Sequence, residues 1–423
     1  MKKTILSLNC GSSSLKYNLF EVRENNTVEP IIGGIAEEIG NIERSTMKFE
    51  MNGSKTKYEI KLPDHEDALV EMFSIFEKQN VPKETIIAIG HRVVHGGASY
   101  NSSVLLTDEV IAEIKRLSPI APLHNPQNVK GILVAEKLLP GVPNVAVFDT
   151  AFHATIPEYA YKYALPDEWF TEYMVRRYGF HGTSHLYVSR RAAAILGMKH
   201  DEINCVTAHM GNGSSLTKVV GGKSMDTSMG FTPLEGVIMG TRSGDIDPAI
   251  IGHVAHLKAD EKNMDLGAAY DEVMRMLNKE SGLKGISGTN LMQDIRAKAL
   301  EGDAESDRIV DIYAYRLAKY IGSYMGTTEY CDAIIFTAGV GENEWYVREK
   351  VLGMLKSCDF KIDKEANRVR GEEIVIAEGT FSGRKVKAMV IPTDEEIVIA
   401  YDTLFIGALG LEAPENYPFE EVD

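Results

Sequence analysis

Apolar residues fall in short blocks along the chain, each closed by small polar residues. Residues 4–8 predict a buried strand, Asn9-Cys10-Gly11-Ser12-Ser13-Ser14 a tight turn, and residues 15–20 an alternating return strand. Asn52-Gly53, between residues 45–51 and 55–61, predicts a type I′ hairpin. Leu69, Met72, Phe73 and Phe76 recur at helical spacing and predict a helix over 64–78. A strand over 86–90 is expected to deliver His91-Arg92-Val93-Val94-His95-Gly96-Gly97 as a loop. A helix over 107–117 follows. Asn125 then reads as an N-cap, with Pro126 opening a helix to residue 139. Residues 144–148 form a buried strand that ends at Asp149.

The second half repeats this plan. Residues 203–208 predict a strand, His209-Met210-Gly211-Asn212-Gly213-Ser214-Ser215 a turn, and residues 216–220 a return strand. The order of strand, Asn/Gly turn, paired serines and return strand echoes the opening hairpin. A repeat about 200 residues apart suggests a duplicated domain. A buried strand over 333–337 opens onto Ala338-Gly339-Val340-Gly341-Glu342-Asn343 and a helix. A strand over 386–391 precedes a terminal helix that begins at Pro392-Thr393-Asp394-Glu395-Glu396. Strands followed by helices, with polar residues at strand ends, predict α/β architecture and ligands at the carboxyl edge of a sheet.

Composition narrows the partners. At 423 residues about two domains are expected, and the 44% hydrophobic and 25% charged fractions are those of a globular protein. The formal charge of −16 argues against a nucleic-acid or anionic-membrane surface, but leaves room for a local positive cleft. Cys10, Cys205, Cys331 and Cys358 lie far apart, which suits a reducing cytosol. Asn9 cuts the first apolar run too short for a secretory signal, and no apolar run is long enough to span a bilayer.

The chemistry lies in the turns. Gly11 and three serines gather hydroxyls and N–H groups at one spot, with Lys16 able to reach a phosphate; a plain hairpin turn is the competing reading. The segment 339–344 follows a strand and precedes a helix, as a nucleotide site would. It lacks the third glycine of the dinucleotide fingerprint, where Glu344 stands, and the lysine-serine ending of a Walker A loop. Arg92 and Arg242 sit in glycine-bounded stretches, where a guanidinium can grip carboxylate or phosphate. Asp149 and Glu395 are candidate magnesium or magnesium-water contacts; a strand-end cap and a first-turn acid are their structural alternatives. No His-Glu-x-x-His spacing supports zinc.

Eight stretches together resemble the acetate kinase family. They are residues 9–16, 91–97, 148–153, 178–185, 209–215, 226–236, 242–248 and 339–343, in family order over nearly the whole chain. The resemblance implies two duplicated actin-like ATPase (ribonuclease H-like) domains around a central nucleotide cleft. It places the first domain at 1–150 plus a returning segment 384–423, and the second at 151–383. It implies a cytoplasmic homodimer that transfers a phosphoryl group reversibly between ATP and acetate, giving acetyl phosphate and ADP, with magnesium or manganese. Asn9 and Glu395 would hold the metal, and Lys16 would approach the ATP phosphates. His209, Met210, Gly211, Asn212, Gly213, Asp294, Ile295, Arg296, Gly339, Val340, Gly341, Glu342 and Asn343 would contact ATP. Arg92 would bind the acyl substrate, with Val94, Leu123, Phe180 and Pro233 around its methyl group. His181 and Arg242 would stabilise the transition state.

Asp149 matches the position of the family's acid/base. A carboxylate nucleophile is already deprotonated at neutral pH, so Asp149 is expected instead to orient magnesium, its waters or Arg242. Propionate and butyrate differ from acetate by one or two methylenes and remain alternatives. An ATP-regulated binding protein of the chaperone or actin type would need an appended peptide-binding domain, for which the chain is expected to leave no room.

Overall fold

The opening segment, apolar at nearly every position, becomes a central strand. In the computed structural model, which describes residues 2–122 and 124–421, β1 (Thr4–Cys10) is paired on both sides. Two compact units are present: residues up to Ala154 together with Asp394–Glu421, and Thr155–Thr393.

The first unit carries β1, β2 (Ser14–Val22), β3 (Val28–Glu37), β4 (Thr46–Met51), β5 (Ser54–Glu59), β6 (Ile86–Val93), β7 (Val104–Leu105) and β8 (Asn144–Phe148). Their order in the sheet is β5-β4-β3-β2-β1-β6-β8-β7. β1 runs antiparallel to β2 and parallel to β6, which is parallel to β8. The helix His65–Lys78 buries Leu69, Met72, Phe73 and Phe76. Each such side chain contributes about 1.5–3 kcal/mol by leaving water. Asp64 caps that helix, accepting from the N–H groups of Glu66 and Asp67.

The second unit carries β9 (Cys205–Met210), β10 (Ser214–Val220), β11 (Lys223–Thr227), β12 (Ala333–Thr337), β13 (Lys361–Ile362), β14 (Ile374–Phe381) and β15 (Arg384–Val390). Their order is β11-β10-β9-β12-β15-β14-β13. β9 is antiparallel to β10 and parallel to β12, and β12 is parallel to β15. This is the plan of β3-β2-β1-β6-β8 repeated, so the echo in the sequence is an echo in topology. The core packs this sheet against the helix Ala304–Gly326, through Val310, Leu317 and Ile321.

Four local expectations change. Asn9 and Cys10 extend β1, with Asn9 opposite Lys16, and the turn shrinks to Gly11–Ser13. His91, Arg92 and Val93 belong to β6, because β1 and β8 on either side supply ladder partners beyond residue 90. Asn125 is the first helical residue, not the cap: its buried amide accepts from the N–H of His95 and donates to the carbonyls of His95 and Ile114. The chain returns to the first unit after Thr393 rather than at 384, since β15 is hydrogen-bonded between β12 and β14.

The returning helix Glu395–Thr403 packs closely on the first sheet. A Cβ at Gly90 would lie 2.1 Å from Thr403 Oγ1, so only glycine fits beneath it. Asp394 caps this helix through the Ile397 N–H at 3.0 Å.

Candidate active site

In each unit the chemistry gathers where three parallel strands end, the usual place for ligands in such sheets. In the first unit those strands end near Asn9, Arg92 and Asp149. Asp149 follows β8, and its N–H donates to the Val93 carbonyl. Its carboxylate, 2% exposed, accepts two hydrogen bonds from Arg92: Nε to Oδ1 at 2.7 Å and Nη2 to Oδ2 at 2.8 Å. Burial opposes the charge on Arg92, but Asp149 and Glu395 outweigh it and hold the guanidinium above the ordinary arginine value. Within the first unit Asp149 thus orients Arg92; Arg242, expected with magnesium and its waters in reach of Asp149, belongs to the second unit.

Lys16 is half exposed, and its amine pairs with Glu396. That pair joins β2 to the first turn of the returning helix. Asn9, opposite Lys16, and Glu395, beside Glu396, are thereby drawn to one edge. An amide oxygen and a carboxylate are an oxygen-only donor set, which fits magnesium and not a soft metal. Among the described residues no group of three His, Cys, Asp or Glu could hold a metal. Magnesium suits so small a protein set, since it keeps waters and phosphate oxygens.

The second unit holds a histidine and hydroxyl network. His181, at φ 57° and ψ 31°, precedes the helix Gly182–Ile195 in a left-handed conformation uncommon outside glycine. Its ring stacks on His209, with centroids 4.1 Å apart. Its Nδ1 meets Ser215 Oγ at 2.9 Å, and the same hydroxyl meets His185 Nε2 at 2.7 Å. His209 Nδ1 meets Ser184 Oγ at 2.8 Å. One serine hydroxyl thus lies between two rings and holds the orientation of the His181 ring, with Nδ1 on Ser215.

Arg242 reaches the same spot. A Cβ at Gly213 would lie 3.3 Å from Arg242 Nη1 and 3.5 Å from His181 Nε2. Nη1 donates to the Pro233 carbonyl at 3.0 Å. Burial pushes the Arg242 guanidinium below its ordinary value, and no carboxylate near it offsets that. Arg242 is a partly buried cation beside the His181 ring, with no ion-pair partner among the described residues.

A cavity of about 370 Å³ adjoins this network. Gly211, Asn212, Arg296, Gly339, Val340 and Asn343 line it, six of the residues expected to meet ATP. Others do not reach it with side chains. Met210 and Ile295 are packed in the core, and Asp294 is exposed on the helix Met292–Leu300. The helix Ala338–Asn343 starts directly at the end of β12, with Ala338 at φ 62°, where a loop was expected. Thr337 pairs with His209 across the sheet, so both segments open at one level. Of the methyl-pocket residues, Val94 lies in the first unit. Phe180, 2% exposed, and Pro233 lie in the second, and Leu123 lies outside the described residues.

Known proteins match at the level of the whole chain. The model of the acetokinase family matches residues 4–401. The chain belongs to the acetokinase family. Acetate kinase of Thermotoga petrophila is 50% identical over 407 residues, covering 94% of this chain and 97% of that one. The crystal structure of Porphyromonas gingivalis acetate kinase superposes with a TM-score of 0.85 at 41% identity, covering 96% and 99% of the two chains. A propionate kinase from Francisella tularensis gives 0.84 at 39%, covering 94% and 98%. The chain is thus a kinase with the two-domain, actin-like fold of these structures.

Sequence reasoning missed several cavity residues. Glu344, noted only as a missing glycine, lines the cavity and pairs with Arg296 at 2.9 Å. Asn290 and Arg370 also line it, and Asn290 donates to Asn212 Oδ1 at 3.1 Å. Ahead of Asn290 lies the short helix Gly282–Ser287. Its amide N–H groups hold the 239–240 turn: those of Leu283 and Lys284 donate to the carbonyls of Met239 and Gly240.

Proposed function

We propose that this enzyme moves the γ-phosphoryl group of ATP reversibly to acetate, giving acetyl phosphate and ADP. The observation that carries the reading is the partly buried Arg242 beside His181, a positive locus with no ion-pair partner among the described residues. Acetate and the γ-phosphate are both anions, so transfer needs their repulsion cancelled as charge spreads over the equatorial oxygens. Arg242 supplies a full charge there, and His181 supplies a donor on a ring that Ser215 holds in place. Arg92 receives the acetate carboxylate, with Asp149 fixing its plane.

An acetate oxygen forms the new bond to phosphorus as the bond to the ADP oxygen breaks. No proton moves, because the carboxylate arrives deprotonated. Asp149 is therefore a positioning residue for Arg92. Asn9 and Glu395 would hold magnesium, which when bound supplies neutralising charge at the phosphate oxygens. The cavity lined by Gly211, Asn212, Gly339 and Arg296 receives the nucleotide, and Lys16 leaves Glu396 for its phosphates.

Propionate is the second reading, favoured by the near-equal similarity to a propionate kinase structure. One methylene is worth about 1–3 kcal/mol in such a pocket. Residence in the cytoplasm, supported by four free buried cysteines, and a homodimer are part of the proposal. Ile250, Leu257, Leu266 and Tyr270, exposed on the helices Ala249–Lys262 and Leu266–Lys279, support self-association. The test is an initial-rate assay with acetate, propionate and butyrate, trapping acyl phosphate as hydroxamate. Acetate should give the highest kcat/KM; no hydroxamate from any acid would overturn the reading.

A further inference from the structure

One buried cation takes no part in the transfer as proposed. Arg348, in the helix Trp345–Met354, is 1% exposed. Among the described residues no carboxylate lies within ion-pair distance of it. Burial pushes its guanidinium down to about 10, although Glu344 opposes the shift. Burying a charge against neutral acceptors alone is costly, so its hydrogen bonds must each be well placed.

Those hydrogen bonds span two segments. Nη1 donates to the Gly341 carbonyl at 2.7 Å, within the helix Ala338–Asn343. Nε donates to Asn367 Oδ1 at 2.8 Å, and Nη2 to the Asn367 carbonyl. Asn367 belongs to the short turn Ala366–Arg368, and its own amide is oriented by donation to the Trp345 carbonyl at 3.0 Å. The first segment supplies Gly339, Val340 and Asn343 to the 370 Å³ cavity, and the chain just beyond the second supplies Arg370.

We infer that Arg348 is a positioning residue for the nucleotide: it ties together the two segments that wall the cavity. The planar guanidinium spans both, with donors at fixed separations. A lysine has its donors on a single nitrogen and cannot match three acceptors met by three separate guanidinium nitrogens. Neither Arg348 nor Asn367 needs to touch the ligand. Arg370 does, as the cationic side chain whose place on the wall the strut fixes. The inference rests on the nucleotide reading of the cavity.

The experiment measures initial rates with ATP and acetate varied separately, and the thermal midpoint, for Arg348→Lys, Asn367→Ala and Arg370→Ala. For Arg348→Lys the KM for ATP is expected to rise about tenfold, with the KM for acetate within about twofold. Asn367→Ala should move the ATP KM in the same direction by less. Arg370→Ala should raise it without shifting the midpoint. If Arg348→Lys does not fold, Asn367→Ala, which keeps the guanidinium, decides the point. A lowered midpoint with an unchanged ATP KM, or equal shifts in both KM values, would mean a plain core role and overturn the inference. A wild-type protein that yields no acyl phosphate would instead overturn the nucleotide reading.

Discussion

Arg92 and Arg242 are both partly buried guanidiniums near the ends of parallel strands, but they live in opposite electrostatic surroundings. Arg92 is gripped in two hydrogen bonds by Asp149, and its charge is stabilised above the ordinary value. Arg242 touches a carbonyl and the Met239 sulfur, and burial alone acts on it. The difference separates two tasks. Arg92 is neutralised in advance and held in one plane, which suits orienting a weakly bound carboxylate. Arg242 keeps an unspent charge, which suits an anion that develops its charge only during transfer.

The largest effect should come from the unpaired arginine. Arg242→Ala is expected to lower kcat by about 10³ or more, the range known for arginines that stabilise phosphoryl transfer. The hydroxamate assay measures it, and near-normal turnover would end the charge-cancellation scheme. Next comes the paired arginine. Arg92→Met removes both hydrogen bonds that Arg92 gives the buried Asp149 carboxylate and should cost about 3–5 kcal/mol of stability in chemical unfolding. Arg92→Met with Asp149→Leu should recover most of that loss, though not activity. A double variant no more stable than the single one would show that the Arg92–Asp149 pair does not set this cost.

Acid sharpens the contrast within the first unit. Burial holds the His91 imidazole down to about 4, against a hydrogen bond with Asn144 that favours its charge. The unfolded chain takes up that proton near the ordinary value of about 6.5, while the folded chain resists until about 4. Stability present above about pH 6.5 is thus lost as pH falls through this window, on the order of 3 kcal/mol. His91→Gln should flatten that slope in unfolding measured from pH 7 to 4. The smallest effect belongs to the pair of half-exposed Lys16 with partly buried Glu396. Glu396→Gln should change stability by less than about 1 kcal/mol and lower the KM for ATP, since Lys16 no longer has to leave a partner. An unchanged KM would remove Lys16 from the phosphate contacts.

The sequence was most legible where spacing and function coincide. The apolar period of residues 64–78 gives the helix His65–Lys78, and the Asn/Gly/Ser turns at 9–14 and 209–215 mark the two equivalent hairpins. Boundaries failed where tertiary pairing overrode local composition: the glycines after Arg92 suggested a loop, but strands on both sides carry β6 to Val93. Asn125 has an ideal capping composition and spends its amide on His95 instead. The partner of Asp149 was out of reach of any local pattern, because Arg92 stands 57 residues away on a neighbouring strand. Arg348, Asn367 and Arg370 carry no motif at all. They become visible only when a buried guanidinium is asked where its hydrogen bonds go.

The central claim, that Arg242 carries a charge the protein itself leaves uncompensated, is tested most directly by chemical unfolding of ligand-free Arg242→Met. A stability equal to wild type or higher by about 1 kcal/mol is expected, since a partly buried charge with no ion-pair partner among the described residues is removed. A loss comparable to that of Arg92→Met would contradict it, showing that Arg242 is already compensated in the resting fold.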